Sequence, residues 1–209
     1  MPIVINGSGT ITGISVGGLP DGIVDTDMLA ANAVATAKIA DGAVTSTKST
    51  GLGGLSMADQ WRTSSDNGEN TGHTLTNWER NDNNFAQIGT GMTYDNSNGT
   101  FTFPSTGIYR IDFHSPIRRS DNITLAYIHS KLQISVDSGS NFGTIARSTG
   151  HIGGANNSHH QASLCAIVDV TNASTFRIRI QMEASTHIRN EADTNEQRTG
   201  LTFMKLGET

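Results

Sequence analysis

Between Phe85 and Phe113 the chain reads FAQIGTGMTYDNSNGTFTFPSTGIYRIDF, and the spacing of its apolar residues leaves little choice of architecture. Ala86, Ile88, Thr90, Met92 and Tyr94 fall on one face of a first extended run. Asn96 to Gly99 is turn chemistry, because Asn-Gly accepts the positive φ that a tight hairpin needs. Phe101 and Phe103 then alternate with threonines. Pro104 and Gly107 bracket a second turn, after which Tyr109, Ile111 and Phe113 alternate with Arg110, Asp112 and His114. A helix would repeat its apolar positions every three or four residues. Period two carried through three successive runs predicts half-buried antiparallel strands.

The same period recurs downstream. Leu132, Ile134 and Val136 alternate with Lys131, Gln133 and Ser135, and Asp137-Ser138-Gly139 turns the chain toward Phe142 to Ile145. A further strand is expected over Ala162 to Val170. Phe176, Ile178, Ile180 and Met182 then face away from Arg177, Arg179, Gln181 and Glu183, and Gly200 to Leu206, with Phe203, closes the chain. Trp61 and Trp78 open the same region. Residues 57–209 therefore read as one all-β sandwich of about eight to ten strands with no helix of three turns. Its core is expected to hold Phe101, Phe103, Tyr109, Ile111, Phe113, Leu132, Ile134, Phe176, Ile178, Ile180 and Phe203.

The string Gly89-x-Gly91, Tyr94-Asp95, Gly99-x-Phe101-x-Phe103-Pro104, Gly107-Ile108-Tyr109 resembles the globular head of the complement and tumour-necrosis-factor superfamily. The likeness spans roughly residues 57–207, with Phe176–Met182 and Gly200–Leu206 in the places of the family's closing strands. It implies a ten-stranded jelly roll that trimerises about a threefold axis.

The first 60 residues contain no Phe, Tyr or Trp, so they cannot build a core of their own. Residues 1–20 carry small apolar side chains (Ile3, Val4, Ile5, Ile11, Ile14, Val16 and Leu19) between Gly-Ser-Gly breaks, which suggests an extended attachment arm. Residues 21–50 repeat with a period of ten: DGIVDTDMLA, ANAVATAKIA, DGAVTSTKST. Val24, Val34 and Val44 align, while Leu29 and Ile39 give way to Ser49. Units this short bury their apolar positions only by stacking on neighbouring chains. Residues 51–56 form a joint by composition. GTITGISVGGLPDGIVDTDMLA followed by AKIADGAVTSTK resembles the arms and fibre repeats of tailed-bacteriophage structural proteins, especially those of cyanobacterial phages. That resemblance implies an arm tethering a trimeric head to a virion. Only three decads are present, which favours a short spike, head fibre or capsid-decorating protein over a long tail fibre.

Several chemistries lack their residues. A net charge of −5 and a pI near 5.7 argue against a nucleic-acid surface, and no run approaches the length of a membrane span. The N-terminus lacks the basic and apolar regions of a secretory signal, so synthesis and assembly in a bacterial cytoplasm are expected. The single Cys165, within LCAIV, is expected to be a small buried residue. His151, His159, His160 and His187 have no acidic or thiol partner at zinc spacing, and adjacent His159 and His160 point to opposite faces of a strand. The acids of Glu191 to Glu196 lack the scaffold of a polysaccharide depolymerase, and no serine or cysteine has a base at recognisable spacing.

The expectation is thus a trimeric, non-enzymatic virion structural protein without cofactor or metal. Its arm binds other virion proteins of capsid or tail. Loops near 115–124, 147–160 and 184–199 are expected to present the contact surface, with Arg118, Arg119, His151, Asn156, Asn157 and His159 as candidates. The alternative is a short tail fibre that recognises a host surface glycan.

Overall fold

The computed structural model describes residues 4–5, 11–12, 34–35, 39–40, 43–44, 55–67, 72–82, 85, 87–119, 125–155, 158–184 and 188–209. The chain divides into two compact units, Met1–Leu52 and Gly53–Thr209. In the first unit, β1 (Val4–Ile5) pairs antiparallel with β2 (Ile11–Thr12), Val4 opposite Thr12 and Ile5 opposite Ile11. This pairing joins two segments of the expected arm to each other. Asn6-Gly-Ser-Gly between the two segments is turn sequence, and it offers β-branched neighbours a local partner. Two residues a side are marginal without further covering. Val34, Ile39 and Val44 are exposed, at 53%, 41% and 49%. Ile3, Ile14, Val16, Leu19, Val24 and Leu29 lie outside the described residues.

The second unit is all β; among the described residues it has no helix. Its strands are β3 (Ala58–Thr63), β4 (His73–Thr74), β5 (Trp78–Arg80), β6 (Thr93–Asp95), β7 (Thr100–Thr102), β8 (Gly107–Arg119), β9 (Leu125–Ser135), β10 (Gly143–Ile152), β11 (His159–Val170), β12 (Arg177–Ala184), β13 (Ile188–Asn190) and β14 (Gly200–Gly207). One antiparallel sheet runs β11-β8-β14-β3-β5, with β13 continuing beside the end of β8. The other runs β10-β9-β12-β7-β6, with β4 also paired to β12. The segments exceed the expected eight to ten because β4 and β13 are short pieces that complete edges of longer strands.

Period two sets which faces meet. On β8, Tyr109, Ile111, Phe113 and Ile117 are buried while Arg110 is exposed. On β12, Ile178, Ile180 and Met182 are buried between half-exposed polar neighbours. Phe101 is the centre of the aromatic cluster: Trp61, Tyr94, Trp78 and Phe203 pack on it with ring centroids 5.2, 4.8, 5.7 and 5.3 Å away. Phe103 packs on Tyr109 at 4.8 Å. Leu132 and Phe176 are also buried, and Ile134 is half-buried against the same core.

The glycine positions of the Phe101–Tyr109 motif have physical causes. Gly99 has φ of 70°, and a Cβ there would stand 2.7 Å from both the Leu75 carbonyl oxygen and the Thr74 methyl. Gly107 has φ of 139°, with Lys205 and the Gly207 carbonyl filling the space of a side chain. Under these turns, Asp59 is fully buried. It accepts hydrogen bonds from Trp61 Nε1 (2.9 Å), Met92 N (2.8 Å) and Arg80 Nε (2.9 Å), tying three segments together.

Four sequence expectations are corrected. The run through Ile88 and Thr90 is not a continuous strand: Ile88 makes an isolated bridge to Ala58 and is exposed, and only Thr93–Asp95 pairs with β7. Glycines at 89 and 91 interrupt it, and Gly89 has φ of 62°. Val136 lies past the end of β9 and is 61% exposed. Residues 115–119 and 147–152 are strand, not loop, because β8 and β10 run on to Arg119 and Ile152. Cys165 is exposed. It shares the outward parity of Ser163, Ile167 and Asp169 on β11, whereas Leu164 and Val168 turn inward.

Candidate contact surfaces

Two surfaces of the second unit carry unpaired or clustered chemistry. The first is the end of the sandwich where β8 finishes and β11 starts. Register places His159 and Arg189 on either side of Arg118. Arg118 Nη2 donates to Asp66 Oδ2 at 3.1 Å and its Nε lies 3.7 Å from Glu191 Oε1. His159 Nδ1 is 3.3 Å from the same Glu191 oxygen, and Ala192 N donates to Asp66 Oδ1 at 2.9 Å. These groups, with Arg198, line an open cavity of about 520 Å³. Acids and bases alternate around it and neutralise one another, which suits a rim that holds loops in place.

The remaining loop candidates separate. Arg119 is fully buried, its Nη1 donating to the Gly153 carbonyl, so it braces the sandwich end and is withdrawn from the contact surface. Strand parity explains this: Arg118 points outward on β8 and Arg119 inward. His151 is exposed on β10. His160, half-buried on β11, packs its ring against Gly150, where no side chain fits. Burial, and secondarily the charge of His151, hold its pKa below the ordinary imidazole value. Asn156 and Asn157 lie outside the described residues. Among the described residues no three or more His, Cys, Asp or Glu side chains form a group able to hold a metal ion. Nor is any helix among them long and apolar enough to cross a membrane.

The second surface is the outer face of the β11-β8-β14-β3-β5 sheet, which sequence reasoning did not single out. Ile167 stands 67% exposed opposite Arg110, and Leu206 at the end of β14 is 51% exposed. Ser163, Cys165 and Thr202 share this outward face further along β11 and β14, and Met204 stands beside Arg110 across from Ile167. Asp112 receives Arg110 Nε at 2.8 Å. Its hydrogen bond with Cys165 is the main reason the thiol pKa is raised above its ordinary value. The parity of Ile167 on β11 was available in the sequence; that β11 edges a sheet with this face open was not.

No family model matches the chain, and no curated protein does. Solved structures match strongly. Eiger TNF from S. frugiperda aligns at a TM-score of 0.54 and 11% identity, covering 75% of this chain and 96% of that one. Murine APRIL at pH 8.0 aligns at 0.50 and 11% identity, covering 72% and 98%. The head is a TNF-like jelly roll. At that identity the likeness concerns the fold alone. The TNF-like head implied by the sequence resemblance is therefore the fold observed.

Proposed function

We propose that this chain is a non-enzymatic, homotrimeric structural protein of a bacteriophage virion, with its first ~50 residues attaching a TNF-like jelly-roll head to the particle. The observation that carries this reading is the exposure of Val34, Ile39 and Val44, apolar positions of the decads that the chain leaves uncovered. Side chains of this kind, in a segment without aromatics, gain stability from burial against other polypeptides. The open face around Ile167 and Leu206 supports association of the heads in the same way. The virion setting rests on the likeness of residues 9–48 to phage arm and fibre repeats.

Capsid decoration and a head fibre fit the shortness of the shaft. A short tail fibre that recognises a host glycan uses the same trimer and differs in its mounting point. Sedimentation of the purified chain tests the assembly: a mass three times the 22.2 kDa protomer is expected. Ile167→Glu is expected to shift it toward monomer while leaving the β circular dichroism intact. A monomeric wild-type chain would overturn the trimer. Cross-linking from residues 1–48 in intact particles separates the mounting points, by capturing either capsid or tail protein.

A further inference from the structure

The outer face of the β10-β9-β12-β7-β6 sheet carries a row of polar side chains on β12 and β9, and its charges are unevenly compensated. Toward the end of β12, Glu183 meets Lys131 and lies 3.8 Å from His129. At the start of β12, Arg177 and Arg179 project from the same face with no carboxylate within ion-pair distance among the described residues. Their contacts are neutral. Arg177 Nη1 donates to the Phe176 carbonyl at 2.8 Å. Arg179 Nε donates to Gln133 Oε1 at 2.8 Å, and its guanidinium lies 3.9 Å from the centroid of the Phe142 ring. By contrast Arg62, Arg80, Arg110, Arg118 and Arg198 each sit against an acid.

The two guanidinium groups line a cavity of about 370 Å³. That volume falls within the usual size of small-molecule sites, about 300–1,000 Å³. The lining also holds uncharged donors and acceptors, Asn98, Thr102 and Ser138 among them, and the carboxylate of Asp95. Two turns of this lining are held before any ligand arrives. Asp137 accepts from Ser135 Oγ (2.6 Å) and from Asn141 N (2.9 Å), fixing the turn that carries Ser138 and Phe142. Asp95 accepts from Ser97 and Asn98, fixing the hairpin that carries Asn98. Burial lowers the pKa of Arg179, as expected for a cation with no acid to compensate it.

We propose that this cavity binds an acidic sugar, a saccharide unit bearing a carboxylate. Arg177 Nη2, beside the Nη1 held by the Phe176 carbonyl, and the Nη groups of Arg179 present donors that a carboxylate accepts. Hydroxyls of the ring meet Asn98, Thr102 and Ser138, and Asp95 accepts from one of them. A neutral sugar would leave the guanidinium groups uncompensated, and a bare anion would leave the hydroxyl and amide wall unused. The site holds whether the protein is mounted on capsid or tail. Its failure is distinguishable from that of the attachment reading, since arm cross-linking and sugar binding are separate measurements.

Native-gel retardation of the full-length chain by polygalacturonate, at about 0.15 M salt to suppress long-range charge effects, tests the site. Retardation is expected with polygalacturonate and not with neutral galactan. Arg177→Gln and Arg179→Gln are each expected to weaken it by about tenfold or more, and the double variant to abolish it. Lys131→Gln, on the same face outside the cavity, is expected to leave it unchanged. Unaltered melting temperatures would show that the variants fold. No retardation of the wild-type chain, equal retardation of the double variant, or displacement by equimolar inorganic sulfate would each overturn the proposal.

Discussion

Asp59 shows how much of the head depends on one side chain. It is buried at the start of β3, and three donors from separate segments converge on it, two of them the buried Trp61 Nε1 and Met92 N. Asp59→Ala orphans both buried donors, and each such loss costs about 1–3 kcal/mol. A loss of about 3 kcal/mol or more in urea unfolding is the expected outcome. His160 sets a pH dependence at the same scale. Its folded pKa lies below the ordinary 6.5, because burial disfavours the imidazolium and His151 adds to the effect. As pH falls below that unfolded value, the unfolded chain takes up the proton first. The stabilisation is therefore present above it and is lost as pH drops toward the folded value. Melting temperature between pH 8 and 5 should fall more steeply for the wild-type chain than for His160→Gln.

At the scale of elements, the β6–β7 hairpin joins local sequence to packing. Asp95 and Asn98 shape the turn through their own side chains, and Gly99 provides the positive φ. Gly99→Ala meets both a strained backbone and the Leu75 carbonyl, so it should lower the melting temperature measurably although it adds one methyl group. The long strands β8, β11 and β12 were legible because their alternation runs eight residues or more without a break. The run from residue 86 to 94 was not, because its glycines, which sequence allows within a strand, here turn the chain. Contact-loop limits failed for a related reason: periodicity marks where alternation occurs and says little about where pairing stops.

For the molecule as a whole, the division at residue 52 makes a direct prediction. Deleting residues 1–48 should leave a head that melts cooperatively, as read by calorimetry. The head's stability belongs to its own two sheets, since its aromatic cluster is drawn entirely from Trp61 onward. Val34, Ile39, Val44 and Ile167 are exposed apolar side chains on which the assembly proposed above would act.

Sequence alone determined the all-β class, the hairpin at Asn96–Gly99, the inward rows of Tyr109–Phe113 and Ile178–Met182, and the lack of aromatic residues before Trp61. Each is a local property: a period, a turn residue or a missing side-chain type. Tertiary structure decided that Arg119 is buried, that Cys165 faces outward, that Arg118, His159 and Glu191 meet, and that Arg177 and Arg179 share a cavity with Asn98. Those outcomes depend on which strands become neighbours and on which face of each sheet is covered. Such pairings join residues as far apart in sequence as Ala58 and Met204, and alternation within a strand is the same whichever partner it finds.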